Sequence, residues 1–74
     1  MVRFPVQSSN LADVGWENNV MEVGFKGKNG TLGDVGQYAG VPESEYIGLM
    51  SAPSAGKYLA EHIKGRYPYT KVSG

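Results

Sequence analysis

The sequence predicts an α+β domain in which a three-stranded antiparallel β-meander is followed by two short amphipathic helices. Two observations predict this fold class. Before Gly40, glycines are frequent and apolar residues tend to alternate, which is typical of strands. After Gly40, the apolar residues recur at helical spacing. A chain of 74 residues has the size of one small domain, and without cysteine it has no disulfide to support its core.

The strand half begins near residue 11. Met21, Val23 and Phe25 are two residues apart, so they share one face of a strand. Gly33 and Gly36 weaken the last strand because they offer no side chain to pack. The predicted order is a strand over 11–16, a turn over 17–19, a strand over 20–26, an Asn-Gly turn over 27–30 and a returning strand over 31–38.

The first helix opens at Pro42, since proline suits the first helical position. Glu43 and Glu45 complement the positive end of the helix dipole. The apolar arc of this helix comprises Tyr46, Ile47, Leu49 and Met50.

Pro53 separates the two helices, because it lacks the backbone donor that a helix interior needs. Either Ser51 or Ser54 can cap the second helix, which runs to about Lys64 and stops at Gly65. The apolar face of this helix comprises Ala55, Tyr58, Leu59, His62 and Ile63.

No catalytic constellation is visible in the sequence. His62 is the only histidine, and its place on an apolar face favours a buried histidine bonded to a backbone carbonyl over a base or a metal ligand. Gly56-Lys57 is followed by Tyr58, where a phosphate-binding loop needs serine or threonine. We therefore expect no catalytic residue, no cofactor, no metal and no enzymatic activity.

The charged residues are separated along the chain although the formal net charge is zero. Residues 57–74 contain four basic residues and one acidic residue, a charge of +3, whereas residues 11–45 carry −4. A zero total argues against a protein that coats nucleic acid in bulk. It leaves room for a local contact with phosphate at the basic end.

The basic end also carries tyrosines, a combination that binds phosphate while stacking on bases. The alternative is that its cations form a solvated helix face and its tyrosines close the core. The predicted RNA-contacting residues are Lys57, Lys64, Arg66, Tyr67 and Tyr69.

The N-terminal segment over 1–7 is predicted to be an arm. Its apolar residues either lie along the sheet edge or dock on a protein partner, for which Arg3 and Phe4 are the predicted contacts. The domain proper spans 8–70, and residues 71–74 are expected to fray. Neither a signal peptide nor a membrane span is recognisable, so we expect a cytoplasmic protein. We also expect the protein to be a monomer.

Several short motifs together resemble the KTSC domain, a family named for the C-terminus of some lysyl-tRNA synthetases and also found as small free-standing bacterial and phage proteins. The similarity covers roughly residues 8–70 and is most specific over 40–69. The matching segments are Ser8-Ser9-Asn10-Leu11, Val14-Gly15-Trp16, Met21-Glu22-Val23-Gly24-Phe25, Gly40-Val41-Pro42, Ser54-Ala55-Gly56-Lys57-Tyr58, Ile63-Lys64-Gly65 and Arg66-Tyr67-Pro68-Tyr69.

The resemblance implies two functions. Its link to tRNA synthetases implies RNA binding, but the family's tyrosine-x-tyrosine pair is incomplete here, with Tyr38 present and Gly36 in place of the first tyrosine. The small free-standing chain also resembles phage antitermination regulators that bind host RNA polymerase. The leading hypothesis is such a regulator, for which contact with RNA or DNA is possible within a complex. The alternative is a tRNA-type RNA-binding module.

Overall fold

Five antiparallel strands and two helices make up the fold in the computed structural model, which describes residues 1–73. The strands are β1 (Phe4–Pro5), β2 (Leu11–Glu17), β3 (Val20–Lys26), β4 (Leu32–Ala39) and β5 (Tyr69–Ser73). The helices are α1 (Glu43–Ser51) and α2 (Ala55–Tyr58), and α2 continues directly as a π-helix over Leu59–Ile63.

The predicted three-stranded meander is wrong, because the sheet has a further strand at each edge. The strands lie in chain order, β1-β2-β3-β4-β5, and every neighbouring pair is antiparallel. β1 has two residues, one of them Pro5, which an edge strand tolerates. β5 is exposed along its whole length, so its residues lack the alternation that marks a half-buried strand. Residues 71–73 of the predicted frayed end lie in β5, and Gly74 lies outside the described residues.

The hydrophobic core lies between the helices and one face of the sheet, here called the inner face. Val14 and Val23 are register partners in β2 and β3, and both are buried on this face. Side chains alternate along a strand, so Asp13 and Glu22 project from the opposite, outer face. The core comprises Leu11, Val14, Met21, Val23, Tyr38, Val41, Leu49, Ala55, Leu59 and Ile63.

α1 packs through a narrower apolar stripe than the sequence predicts. Leu49 is fully buried and Tyr46 packs against the core, but Ile47 is 56% exposed. Ile47 lies about 160° from Leu49 around the helix at 100° per residue, so both cannot face the sheet. Ser54 caps α2, because its Oγ accepts the Lys57 N–H at 3.2 Å. No helix within residues 1–73 is long and apolar enough to cross a membrane.

His62 is exposed, contrary to the predicted core position. The final turn of the second helix is π-helical, closed by a bond from the Lys64 N–H to the Leu59 carbonyl at 2.8 Å. This i→i+5 turn holds one residue more than an α-helical turn, so Leu59 and Ile63 stay buried while His62 turns outward. The imidazole stacks on Tyr58 instead, with the ring centroids 4.2 Å apart.

A pair of hydrogen bonds fastens the start of α1 to the β2–β3 hairpin. The Trp16 indole N–H donates to the Val41 carbonyl at 2.8 Å, and the Val41 N–H donates to the Asn19 carbonyl at 2.8 Å. Asn18 and Asn19 both have positive φ, at 52° and 64°, as the tight two-residue turn of a hairpin requires. The turn before α1 is thereby fixed relative to the sheet.

Candidate functional site

An aromatic groove opens between the inner face of the sheet and the chain that follows α2. Its volume is about 370 Å³, within the range of small-ligand sites, roughly 300–1,000 Å³. Strands β3, β4 and β5 form its floor, and the π-helix with the following turn forms its other side. The groove is lined by Phe25, Asp34, Tyr38, Leu59, Lys64, Gly65, Tyr67 and Tyr69.

Three aromatic rings from neighbouring strands form the floor of the aromatic groove. Tyr69 of β5 is the register partner of Tyr38 in β4, and their ring centroids are 4.9 Å apart. The ring of Phe25 in β3 forms a T-shaped pair with that of Tyr69, and their centroids are 6.5 Å apart. Tyr38 is buried, and this burial raises the pKa of its phenol. Tyr69 is 44% exposed, so it offers a free ring surface to a ligand.

Gly36 makes room for the exposed tyrosine of the floor. A side chain at this position would collide with the ring of Tyr69. Because glycine has no side chain, the ring of Tyr69 can lie over Gly36 beside Tyr38. Gly36 thus accommodates an aromatic ring from β5.

Lys64 is the cation of the aromatic groove. It follows the π-helix directly, and its exposed side chain lines the groove. A second hollow of about 270 Å³ shares Phe25, Leu59 and Lys64 with the groove and extends it toward Asn10 and Gly56. Lys64 therefore stands where the two hollows meet, within reach of a ligand that occupies either.

Tyr58 and Tyr67 both donate a hydrogen bond to the carboxylate of Glu45 in α1. The Tyr58 hydroxyl donates to Glu45 Oε1 at 2.6 Å, and the Tyr67 hydroxyl donates to Glu45 Oε2 at 3.3 Å. The bond to Glu45 raises the pKa of Tyr58, and desolvation together with the same carboxylate raises the pKa of Tyr67. Tyr67 is thereby fixed in position at the groove wall.

The structure brings together three of the seven predicted contact residues, Lys64, Tyr67 and Tyr69, in the aromatic groove. Lys57 lies instead beside a separate open hollow formed with Tyr58 and Glu61. Arg66 is exposed in the turn between Lys64 and Tyr67 but does not line the groove. Sequence reasoning missed Phe25, Tyr38 and Asp34 as lining residues, because strand register alone brings them there.

Arg3 of the predicted arm is bound within the chain. Its Nε donates to Asp13 Oδ1 at 2.8 Å, and its Nη1 donates to Glu22 Oε2. Gln37 donates to the other oxygen of Glu22 at 2.8 Å. The bonds from Gln37 and Arg3 hold the pKa of the buried Glu22 below its usual range despite its desolvation. We call these four side chains the outer-face network.

Gly15 lets the arm approach the sheet closely. A side chain there would collide with the Val2 carbonyl, and Arg3 also passes over this position. Val2 and Phe4 remain exposed, at 70% and 54%. Of the two predicted arm contacts, Phe4 is therefore available to a partner, whereas Arg3 is engaged in the outer-face network.

Within residues 1–73, no group of three or more histidine or acidic side chains is arranged to hold a metal ion. His62 lies beside Tyr58 on the helix surface and is not among the groove residues. The polar side-chain groups that line the aromatic groove are one carboxylate, one ammonium and three tyrosine hydroxyls. This set suits a planar, partly charged ligand that stacks and hydrogen-bonds.

Comparison with known proteins places the chain in a family. The KTSC domain matches residues 7–67. The crystal structure of a KTSC domain protein from Yersinia pestis is similar over 97% of both chains, with 34% sequence identity and a TM-score of 0.85. No curated protein sequence matches the chain significantly. The matched range includes the capped start of α2 and the groove residues Lys64 and Tyr67, and the chain belongs to the KTSC domain family.

Proposed function

We propose that this KTSC domain is a non-enzymatic module that binds single-stranded RNA in the aromatic groove. The observation that carries the proposal is the convergence of Lys64, Tyr67 and Tyr69 in one groove. Unpaired bases are commonly recognised by stacking on aromatic side chains, with cations on the neighbouring phosphates. Tyr69 offers the stacking surface and Lys64 the charge.

The formal net charge is zero, but the positions of the charged side chains in the structure support RNA binding. Asp13 and Glu22 lie on the outer face, where Arg3 neutralises part of their charge. Arg66 and Lys71 are exposed in the segment that carries Tyr67 and Tyr69. A phosphate backbone that follows this segment meets these cations, while Asp13 and Glu22 lie on the other side of the sheet.

The decisive experiment measures the affinity of labelled single-stranded RNA by fluorescence anisotropy. Lys64→Ala should weaken binding and reduce the slope of log K against log salt by about 0.7, the value for one phosphate contact on a single strand. Tyr69→Leu keeps an apolar side chain but removes the stacking ring. It should weaken binding about 5- to 150-fold, because one base stacked on an aromatic ring contributes roughly 1–3 kcal/mol.

Lys57→Ala is the matched control, since it removes the same charge from a position seven residues earlier that lies outside the aromatic groove. It should change the affinity less than Lys64→Ala. Equal losses in the two lysine variants would show a diffuse electrostatic contact instead of a groove. Absence of binding to any RNA at low salt would refute the function itself.

A second candidate function rests on the arm. Met1, Val2 and Phe4 are large apolar residues that are 46%, 70% and 54% exposed, an arrangement that favours docking on a protein. On this proposal the chain is a phage-encoded regulator in the host cytoplasm that binds RNA polymerase and modulates initiation and termination. Contact with nucleic acid then occurs inside the complex.

Co-migration with purified host RNA polymerase tests the second candidate. Phe4→Ser should reduce binding without affecting the fold, because Phe4 lies in the exposed edge strand β1. Ile47→Ser, which alters a comparably exposed apolar residue on α1, is the control and should bind normally. No co-migration of the wild-type chain, or equal loss in both variants, would count against an arm-mediated contact.

A further inference from the structure

We infer that Asp34 makes the aromatic groove selective for guanine among the four RNA bases. The inference rests on the proposed function, which requires a base to enter the groove, and adds the identity of that base. It is carried by the position of one carboxylate at the end of an aromatic floor.

Asp34 lies in β4 and lines the aromatic groove together with Tyr38 and Tyr69. It precedes Gly36 by two residues, beside the point where the register between β3 and β4 shifts. Tyr38 and Tyr69 lie at one end, and the space over Gly36 is filled by the Tyr69 ring. Asp34 follows beyond this ring, so a base stacked on Tyr69 directs an edge toward its carboxylate.

The carboxylate of Asp34 forms an ion pair with Lys71 and can still accept hydrogen bonds from a ligand. Lys71 of β5 lies beside Gly36, with its Nζ 3.6 Å from Asp34 Oδ1. Both side chains are about half exposed, at 55% and 52%, so this ion pair is loose. Within residues 1–73 the Asp34 oxygens accept no hydrogen bond. The carboxylate keeps its acceptor capacity for a ligand.

Guanine has the edge that fits this acceptor. An ionised carboxylate offers two oxygens and no donor. Guanine presents adjacent donors, N1–H and the N2 amino group, which can bond both oxygens at once. Adenine, cytosine and uracil each present at most one Watson–Crick donor next to an acceptor, and the acceptor is repelled by a carboxylate. Bidentate recognition of this kind discriminates between bases by about 5- to 150-fold.

The aromatic groove also holds a group of the opposite charge. Asp34 is negative and Lys64 is positive, and both residues line the groove. A guanine nucleotide that directs its Watson–Crick edge to Asp34 can direct its phosphate toward Lys64. Tyr67, fixed by Glu45, then forms the wall beside the base.

The test uses short oligouridines that differ at one central position, which carries guanine, adenine, cytosine, uracil or hypoxanthine. Fluorescence anisotropy should show the guanine oligomer binding about 5- to 150-fold tighter than the uridine oligomer. The hypoxanthine oligomer lacks the N2 amino group and should fall between them. This comparison uses the wild-type chain, so it does not depend on how a variant folds.

Asp34→Asn should abolish the preference for guanine and retain affinity for the uridine oligomer, with circular dichroism as the check of folding. Glu43→Gln, a comparable charge change at an exposed position in α1, should retain the preference. Equal binding of all five oligomers by the wild type would overturn guanine selectivity and leave RNA binding intact. A preference that survives in Asp34→Asn would overturn the role of Asp34. Absence of binding to every oligomer would overturn both proposals.

Discussion

The ring of Tyr69 lies over Gly36 of the adjacent strand, with its centroid 4.9 Å from that of Tyr38. Gly36→Ala places a methyl group where this ring now lies. We expect the free energy of unfolding to fall by about 1–3 kcal/mol, the usual cost of overpacking. RNA affinity should fall as well, because the displaced ring no longer offers its stacking face. Urea unfolding and the anisotropy assay measure the two effects.

A double-mutant cycle tests whether the cost of Gly36→Ala comes from the collision between the added methyl group and the ring of Tyr69. In a Tyr69→Leu background the added methyl group meets a smaller side chain, so Gly36→Ala should be less destabilising there than in the wild type. The same cost in both backgrounds would mean that Gly36 matters for another reason.

The outer-face network predicts that Arg3→Ala lowers the free energy of unfolding by about 1–3 kcal/mol, since it leaves the buried Glu22 without its cation. Urea unfolding followed by Trp16 fluorescence measures the change. Lys28→Ala, in the exposed turn before β4, is the control and should stay within about 0.5 kcal/mol of wild type. Similar values for the two variants would show that the arm is only loosely attached.

Acid should weaken the fold through Glu22. Its pKa is lower in the folded chain, chiefly because Gln37 and Arg3 bond the ionised form. The resulting stabilisation is present above about pH 4.3, the ordinary glutamate pKa. It is lost as the pH falls through the lower folded-state value. The free energy of unfolding, measured by urea titration across the acidic range, should therefore fall more steeply for wild type than for Glu22→Gln. Parallel pH profiles would contradict this.

Tyr58→Phe should lower the free energy of unfolding by about 1–2 kcal/mol, because the hydroxyl donates to a carboxylate at 2.6 Å. Tyr67→Phe removes a longer bond of 3.3 Å to the same Glu45 and should be less destabilising. Thermal unfolding of the two variants in parallel gives the comparison. The reverse order would assign the main link between α1 and the groove wall to Tyr67.

Local sequence patterns predicted the strands and helices that have one buried face and one exposed face. β2, β3 and β4 alternate, and α1 and α2 have apolar stripes, so each carries its own signal. β1 and β5 carry none, because β1 is two residues long and β5 is exposed throughout. Their pairing is set by contacts with β2 and β4 and not by their own composition.

In the candidate site, too, some residues have a local sequence signal and others are placed only by contacts with distant parts of the chain. Lys64, Tyr67 and Tyr69 were predicted because cations and tyrosines are close together in the sequence. Tyr38 joins them only through its register with Tyr69, across a long connection that contains both helices. The unexpected glycine at position 36 was the one sequence signal for this contact, since it marks a place that another side chain occupies.

The π-helical turn over Leu59–Ile63 lets the second helix hold one extra residue without displacing the chain that follows. The Lys64 N–H bonds the carbonyl of Leu59, five residues earlier, whereas an α-helical turn would use the carbonyl four residues earlier. Deletion of the exposed Ala60 would make this same bond an α-helical one, so Lys64 should keep its place in the groove. A single codon can therefore be lost or gained at this turn without loss of the groove's cation, which makes the turn a place where related sequences can differ in length.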